Sequence, residues 1–153
     1  MTEHDAEQYD FRAMAMQEYV CINDTITKYD DIKFKIKSWS ITVSSLAIGA
    51  AYTEDKKILL LLGSISPIIF WLTESLFAKY KQVAIDRSLQ IEEQIRGSLA
   101  DYTGPNLSLS YVELSASAGI APLLRATGRL ETLLPHVIIA DLGLALYVWE
   151  TWN

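Results

Sequence analysis

The stretch Ile58 to Phe77, ILLLLGSISPIIFWLTESLF, carries no charge until Glu74, near its far end. About 20 residues at 1.5 Å per residue match a hydrocarbon core of ~30 Å. Lipid offers the backbone no hydrogen bonds, so an apolar run of this length is expected to be a helix. Pro67 lies inside it. In water an interior proline would argue against a helix. In a membrane span it is read as a kink, with Ser64 or Ser66 placed to bond a freed carbonyl. Lys56 and Lys57 flank the start, Lys79 and Lys81 the end, and Phe70, Trp71, Phe77 and Tyr80 give the second boundary its aromatic character. The competing reading is a buried helix of a soluble protein, disfavoured because such helices seldom run this far without a polar face.

Immediately before it lies Ser38 to Thr53, SWSITVSSLAIGAAYT, uncharged and bracketed by Trp39 and Tyr52. It is barely long enough to cross, and Ser40, Thr42, Ser44, Ser45 and Gly49 make it small and polar. Ser45 and Gly49 are spaced as a small-xxx-small pair, which permits close helix contact. The alternative is a pore lined by these hydroxyls. The charged connector Glu54-Asp55-Lys56-Lys57 makes the two spans an antiparallel hairpin. Lysines crowd the chain before the first span (Lys28, Lys33, Lys35, Lys37) and bases follow the second (Lys79, Lys81, Arg87). The positive-inside rule then puts both long ends in the cytoplasm and the connector outside.

The expected fold class is an all-α membrane protein. Residues 1–37 form a cytosolic amphipathic helix, with apolar side chains at Tyr9, Ala13, Met16, Tyr19 or Val20, Ile22, Ile26, Tyr29, Ile32 and Ile36. Cys21 belongs with this stripe as a packing residue. Residues 38–77 form the hairpin, and 78–99 continue as a cytosolic helix that Gly97 ends or loosens. Residues 100–129 are irregular or short helices, with a strand-like alternation at Leu107 to Tyr111. Residues 130–153 form a third hydrophobic helix, which is expected to cross and leave the C-terminus outside.

Composition narrows the function classes. The first 31 residues hold eight acids and two bases, a surplus equal to the whole net charge of −6. With no long basic surface, direct nucleic-acid binding is not expected. The start MTEHDAEQYD is the reverse of a basic signal region, so insertion is expected to use the internal segments. One cysteine and two histidines, far apart, suggest neither a metal site nor a disulfide framework. No phosphate loop or nucleophile elbow appears, so no catalytic residue, cofactor or enzymatic activity is expected.

Two carboxylates stand in apolar surroundings. Glu74 is about a turn from the end of its span and is expected to reach the interface, meeting Lys79 or Lys81. Asp141 is deeper, and is expected to face other helices with Ser45 or Thr42 as partners. With Pro67, these residues and the polar side chains of the first span are the candidate pore or interhelix positions. Arg129 and His136 have six residues between them and resemble the motif of HEPN-type ribonucleases. Pro135 and the surrounding apolar run argue against an open RNA-cleaving cleft.

The hairpin, from Trp39 before the first span through Pro67 and the PIIFWL run to the helix ending near Gly97, resembles the SLATT-like small membrane proteins found with bacterial anti-phage systems. That likeness covers roughly residues 30 to 97. It implies a multi-pass protein of the bacterial inner membrane, N-terminus cytoplasmic, that oligomerises and perforates or depolarises the bilayer when infection is sensed. Glu92 and Glu93 depart from the more basic helix expected there, and the third segment has no necessary place in a two-span pattern. The alternative expectation is an anchor without conductance, whose acidic N-terminal helix recruits a soluble sensor or nuclease.

Overall fold

The structure, a computed structural model, describes residues 3–54, 56–97, 104–105, 112 and 127–152. Three long helices account for most of them: α1 (Glu3–Thr53), α2 (Ile58–Arg96) and α3 (Leu130–Trp152). The described chain is all-helical, as its patterning implies. The expected strand-like stretch Leu107 to Tyr111, and most of 100–129, lie outside the described residues.

Length decides what each helix can do. At 1.5 Å per residue α3 is about 35 Å long, enough to cross one bilayer. By the same measure α1 is about 75 Å and α2 about 60 Å, well beyond a hydrocarbon core. Each therefore merges an apolar segment with a charged extension in one uninterrupted helix. Two of the three, α2 and α3, are long and apolar enough to cross a membrane. The more polar segment Ser38–Thr53 of α1 is not among them.

The chain divides into two compact units. The first holds Met1–Asp30 and Lys79–Ala118. Its core is a line of small and branched side chains, Ala15 and Ile22 on α1 against Ala84 and Ile91 on α2, with Tyr19, Ile26 and Ile95 around it. Within this line lies a buried ion pair: Arg87 Nε and Nη2 donate to Glu18 Oε1 and Oε2, both at 3.0 Å. Arg87 Nη2 also donates to the carbonyl of Gly104 at 3.3 Å. Gly104 has a φ of +94°, a conformation that L side chains rarely adopt. The buried face of α1 thus runs through Ala15 and Glu18, whereas Ala13 and Met16, assigned by spacing, are exposed. Apolar counting passed over Glu18, which shares this buried face through its pairing with Arg87. Cys21 is likewise exposed rather than packed.

The second unit holds Asp31–Ala78 and Gly119–Asn153. Here α2 runs antiparallel to both α1 and α3, which are parallel to each other. Ser44 on α1 meets Ser66 on α2 at 2.9 Å. At one end of the unit, Lys57 Nζ donates to the carbonyl of Glu150. Close approach depends on two glycines. A Cβ on Gly63 would lie 3.2 Å from Ile48 Cγ1, and one on Gly143 would lie 2.6 Å from Ser64 Oγ. Pro67 is fully buried, and the carbonyl it frees, that of Gly63, lies 3.4 Å from the Ser66 hydroxyl. The Ser45–Gly49 pair, expected at a helix contact, faces outward; a Cβ on Gly49 would meet nothing within 4 Å.

Candidate functional site

In the second unit many polar side chains are buried and many large apolar ones exposed, beside a few buried apolar residues such as Leu60, Ala51 and Ala78. Ser40, Ser44, Ser64, Glu74, Ser75, Thr132 and His136 are buried. Leu46, Leu62, Ile69, Leu72, Ile138 and Leu142 are exposed, Leu46 at 68%. Water would favour the opposite arrangement, because each exposed apolar side chain forfeits roughly 1.5–3 kcal/mol of transfer free energy. Hydrocarbon around the unit would favour the arrangement seen.

The polar interior centres on Glu74, whose side chain is completely buried. His136 Nε2 lies 3.0 Å from Glu74 Oε2, and His136 Nδ1 lies 2.9 Å from Ser40 Oγ. A carboxylate only accepts, so Nε2 carries the hydrogen and donates. In the neutral ring Nδ1 then accepts from the Ser40 hydroxyl. The second carboxylate oxygen, Oε1, makes no hydrogen bond. It lies 3.2 Å from Lys37 Nζ and 4.0 Å from Lys33 Nζ, so its attachment is ionic. Lys33 also reaches Glu131 Oε1 at 3.6 Å. Two cations and two carboxylates therefore balance around one histidine, and α1, α2 and α3 each supply part of the cluster.

Helix geometry explains the convergence. Lys33, Lys37 and Ser40 follow steps of four and three, which keep them on one face of α1. Ser44 continues that face and is buried too. On α3, Thr132, His136 and Gly143 are the buried positions, again one face. Glu74 and Ser75 present the matching part of α2. Trp71 adds a further tie, its Nε1 donating to the Thr127 carbonyl at 3.2 Å.

A serine, a histidine and a carboxylate in sequence invite comparison with a nucleophile, base and orienting acid. Ser40 has no exposed surface, however, so its hydroxyl is enclosed by the helices around it. What this arrangement does is fix the mutual rotation of three helices by hydrogen bonds and charge.

The structure redistributes the expected residues. Ser40, Ser44, Glu74 and Pro67 are brought into the interior. Glu74 is not at the interface with Lys79 or Lys81: Lys33 and Lys37 hold it, and Lys81 instead pairs with Asp30 at 2.6 Å. Thr42, Ser45 and Gly49 lie on the outer face of α1. Asp141 is exposed on the outer face of α3 and does not meet Thr42 or Ser45 of its own chain. The physical reason is angular. His136 and Gly143 turn inward, and Asp141, five residues beyond His136 at 100° per residue, is carried round to another side. Sequence reasoning missed Lys33, Lys37 and Glu131, and treated His136 only as a ribonuclease fragment. The available signal was the pairing rule for ionisable groups within apolar segments: both Glu74 and His136 required partners.

No family model, curated protein or solved structure matches the chain.

Proposed function

We propose that the chain is a membrane-embedded effector that works as an oligomer and permeabilises the bilayer. The carrying observation is that the second unit buries hydroxyls, an ion-paired carboxylate and a histidine while many of its large apolar side chains face outward. The three helices there form the embedded part. In this reading Ser38–Thr53 of α1, too polar to cross alone, is sheltered by α2 and α3. The lysines beside Glu74 stand on the cytoplasmic side, with the N-terminus, and the Glu54–Lys57 connector is outside. The exposed row Ser38, Thr42, Ser45 and Gly49 gives association a polar, closely approachable face. The resemblance of the hairpin to SLATT-like proteins adds the setting, bacterial anti-phage defence at the inner membrane.

The test is flux. Purified protein in liposomes should dissipate an imposed potassium gradient, and cells carrying it should depolarise when a phage trigger is given. Unchanged potential under a trigger that still protects the cells would overturn permeabilisation.

A second reading has its own observation. In the first unit Phe11, Met14, Met16 and Val20 are exposed on the acidic part of α1. That surface suits an adaptor, without conductance, that recruits a soluble nuclease or sensor. Removing residues 1–30 should then abolish partner capture while insertion persists; a truncated form that keeps its partners would reject it.

A further inference from the structure

Asp141 lies in a groove of about 680 Å³ on the outer side of α3, lined also by Leu144, Ala145, Val148, Trp149 and Trp152. Around it that face is apolar, with Leu134, Ile138 and Leu142 exposed. Among the described residues Asp141 has no hydrogen bond or ion pair. A carboxyl midway along an apolar helix, turned away from the described bundle, calls for a polar partner.

The bundle itself fixes the depth of that partner. Ser40 meets His136 across the parallel helices α1 and α3. Five residues further along each helix stand Ser45 and Asp141. A separate route through α2 agrees to within a residue: Ser44 meets Ser66, and Gly143 meets Ser64. By the same register Ala145 is level with Gly49. At this depth α1 turns outward the row that contains Thr42, Ser45 and Gly49. The Ser45 hydroxyl, like Asp141, has no partner among the described residues. Thr42 Oγ1 donates only back to the Ser38 carbonyl. The open space at Gly49 would admit a second helix closely.

We infer that these faces are the two halves of one contact between copies of this chain: α3 of one copy docks on α1 of the next, the Asp141 carboxyl accepting from the Ser45 hydroxyl and Ala145 seated against Gly49. This rests on the oligomeric reading above and names its interface. Both halves belong to one sequence and lie at one depth, which selects a second copy over an unrelated partner. They lie on different helices of the bundle, so the contact is head-to-tail. Repetition of such a contact builds a ring when the rotation closes.

Cross-linking in membranes tests this. Two differently tagged copies, both carrying Cys21→Ser, receive Gly49→Cys in one and Ala145→Cys in the other, leaving Asp141 and Ser45 intact. Mild oxidation should give a dimer containing both tags, and neither variant alone should cross-link. Cross-links within either variant alone, or none while the oligomer persists in native lipid particles, would overturn this interface and leave the oligomeric reading standing. A wild-type chain that remains monomeric in lipid would overturn both. As an independent measure, Asp141→Leu should weaken association about three- to twentyfold and Asp141→Asn should preserve it. Unaltered association of the leucine variant would also count against the contact.

Discussion

Glu74 is the residue on which the second unit turns, because it joins α1 to α3 through Lys37 and His136. Replacing it by leucine takes the ionic partner from Lys37 and the acceptor from His136, and leaves Lys33 with Glu131. Breaking a buried pair costs about 3–5 kcal/mol. The lower end is expected here, since the Lys37 side chain is 28% exposed and can turn toward water. Glu74→Gln keeps an acceptor for His136 and should cost less. Thermal unfolding in detergent would rank the two. A second contrast concerns the glycines. Gly143→Ala drives a methyl into Ser64, so overpacking of about 1–3 kcal/mol should outweigh a helix-propensity gain of up to ~1 kcal/mol. Gly49→Ala meets open space and should retain that gain in the isolated chain. Glu74 was legible as a special position, because a charge within an apolar run stands out. Its partners were not, since linear spacing places Lys33 and Lys37 on one face of α1 but does not say which helix that face meets.

Among the elements, the merging of apolar segments with charged extensions was readable from unbroken periodicity and from Gly97, which follows the end of α2 at Arg96. The rotation of α1 was readable from Tyr19 onward, through Ile22 and Ile26, but not in the turns before it. The stripe through Ala13 and Met16 gives way there to a contact face through Ala15 and Glu18, where α1 meets Ala84 and Arg87 of α2. This yields a prediction for the first unit. Arg87→Met alone takes the bidentate guanidinium from a buried Glu18 and should lower stability by about 3–5 kcal/mol, whereas Arg87→Met with Glu18→Met should recover most of the loss. Thermal melts followed by helical circular dichroism would read both. The Asp30–Lys81 pair belongs to another class: Asp30 is half exposed, so the pair should contribute at most about 1 kcal/mol and fade in molar salt.

At the scale of the whole molecule, two apolar segments were readable as candidate spans from length alone. The polar interior was not, because polar residues are scattered on every face of the linear pattern and only packing shows which are covered. The proposed orientation makes a direct prediction. Reporter fusions at Asn153 and in the Glu54–Lys57 connector should both read as external. A cytoplasmic signal from Asn153 would mean that α3 does not cross.

The clasp of His136 between Ser40 and Glu74 also bears on how such a protein could be made. Released alone from a translocon, α3 would present an imidazole and, near its middle, an aspartate that costs about 2.5–3.5 kcal/mol at the bilayer centre. The hairpin precedes it in the chain and would already offer Ser40 and Glu74 as a dock. If α3 crosses as proposed, insertion is sequential, with the first two segments acting as a receiving site for the third. Substitutions at Ser40 or Glu74 would accordingly appear during biogenesis, as nascent chains whose C-terminus stays on the wrong side, before any loss of stability in the finished protein.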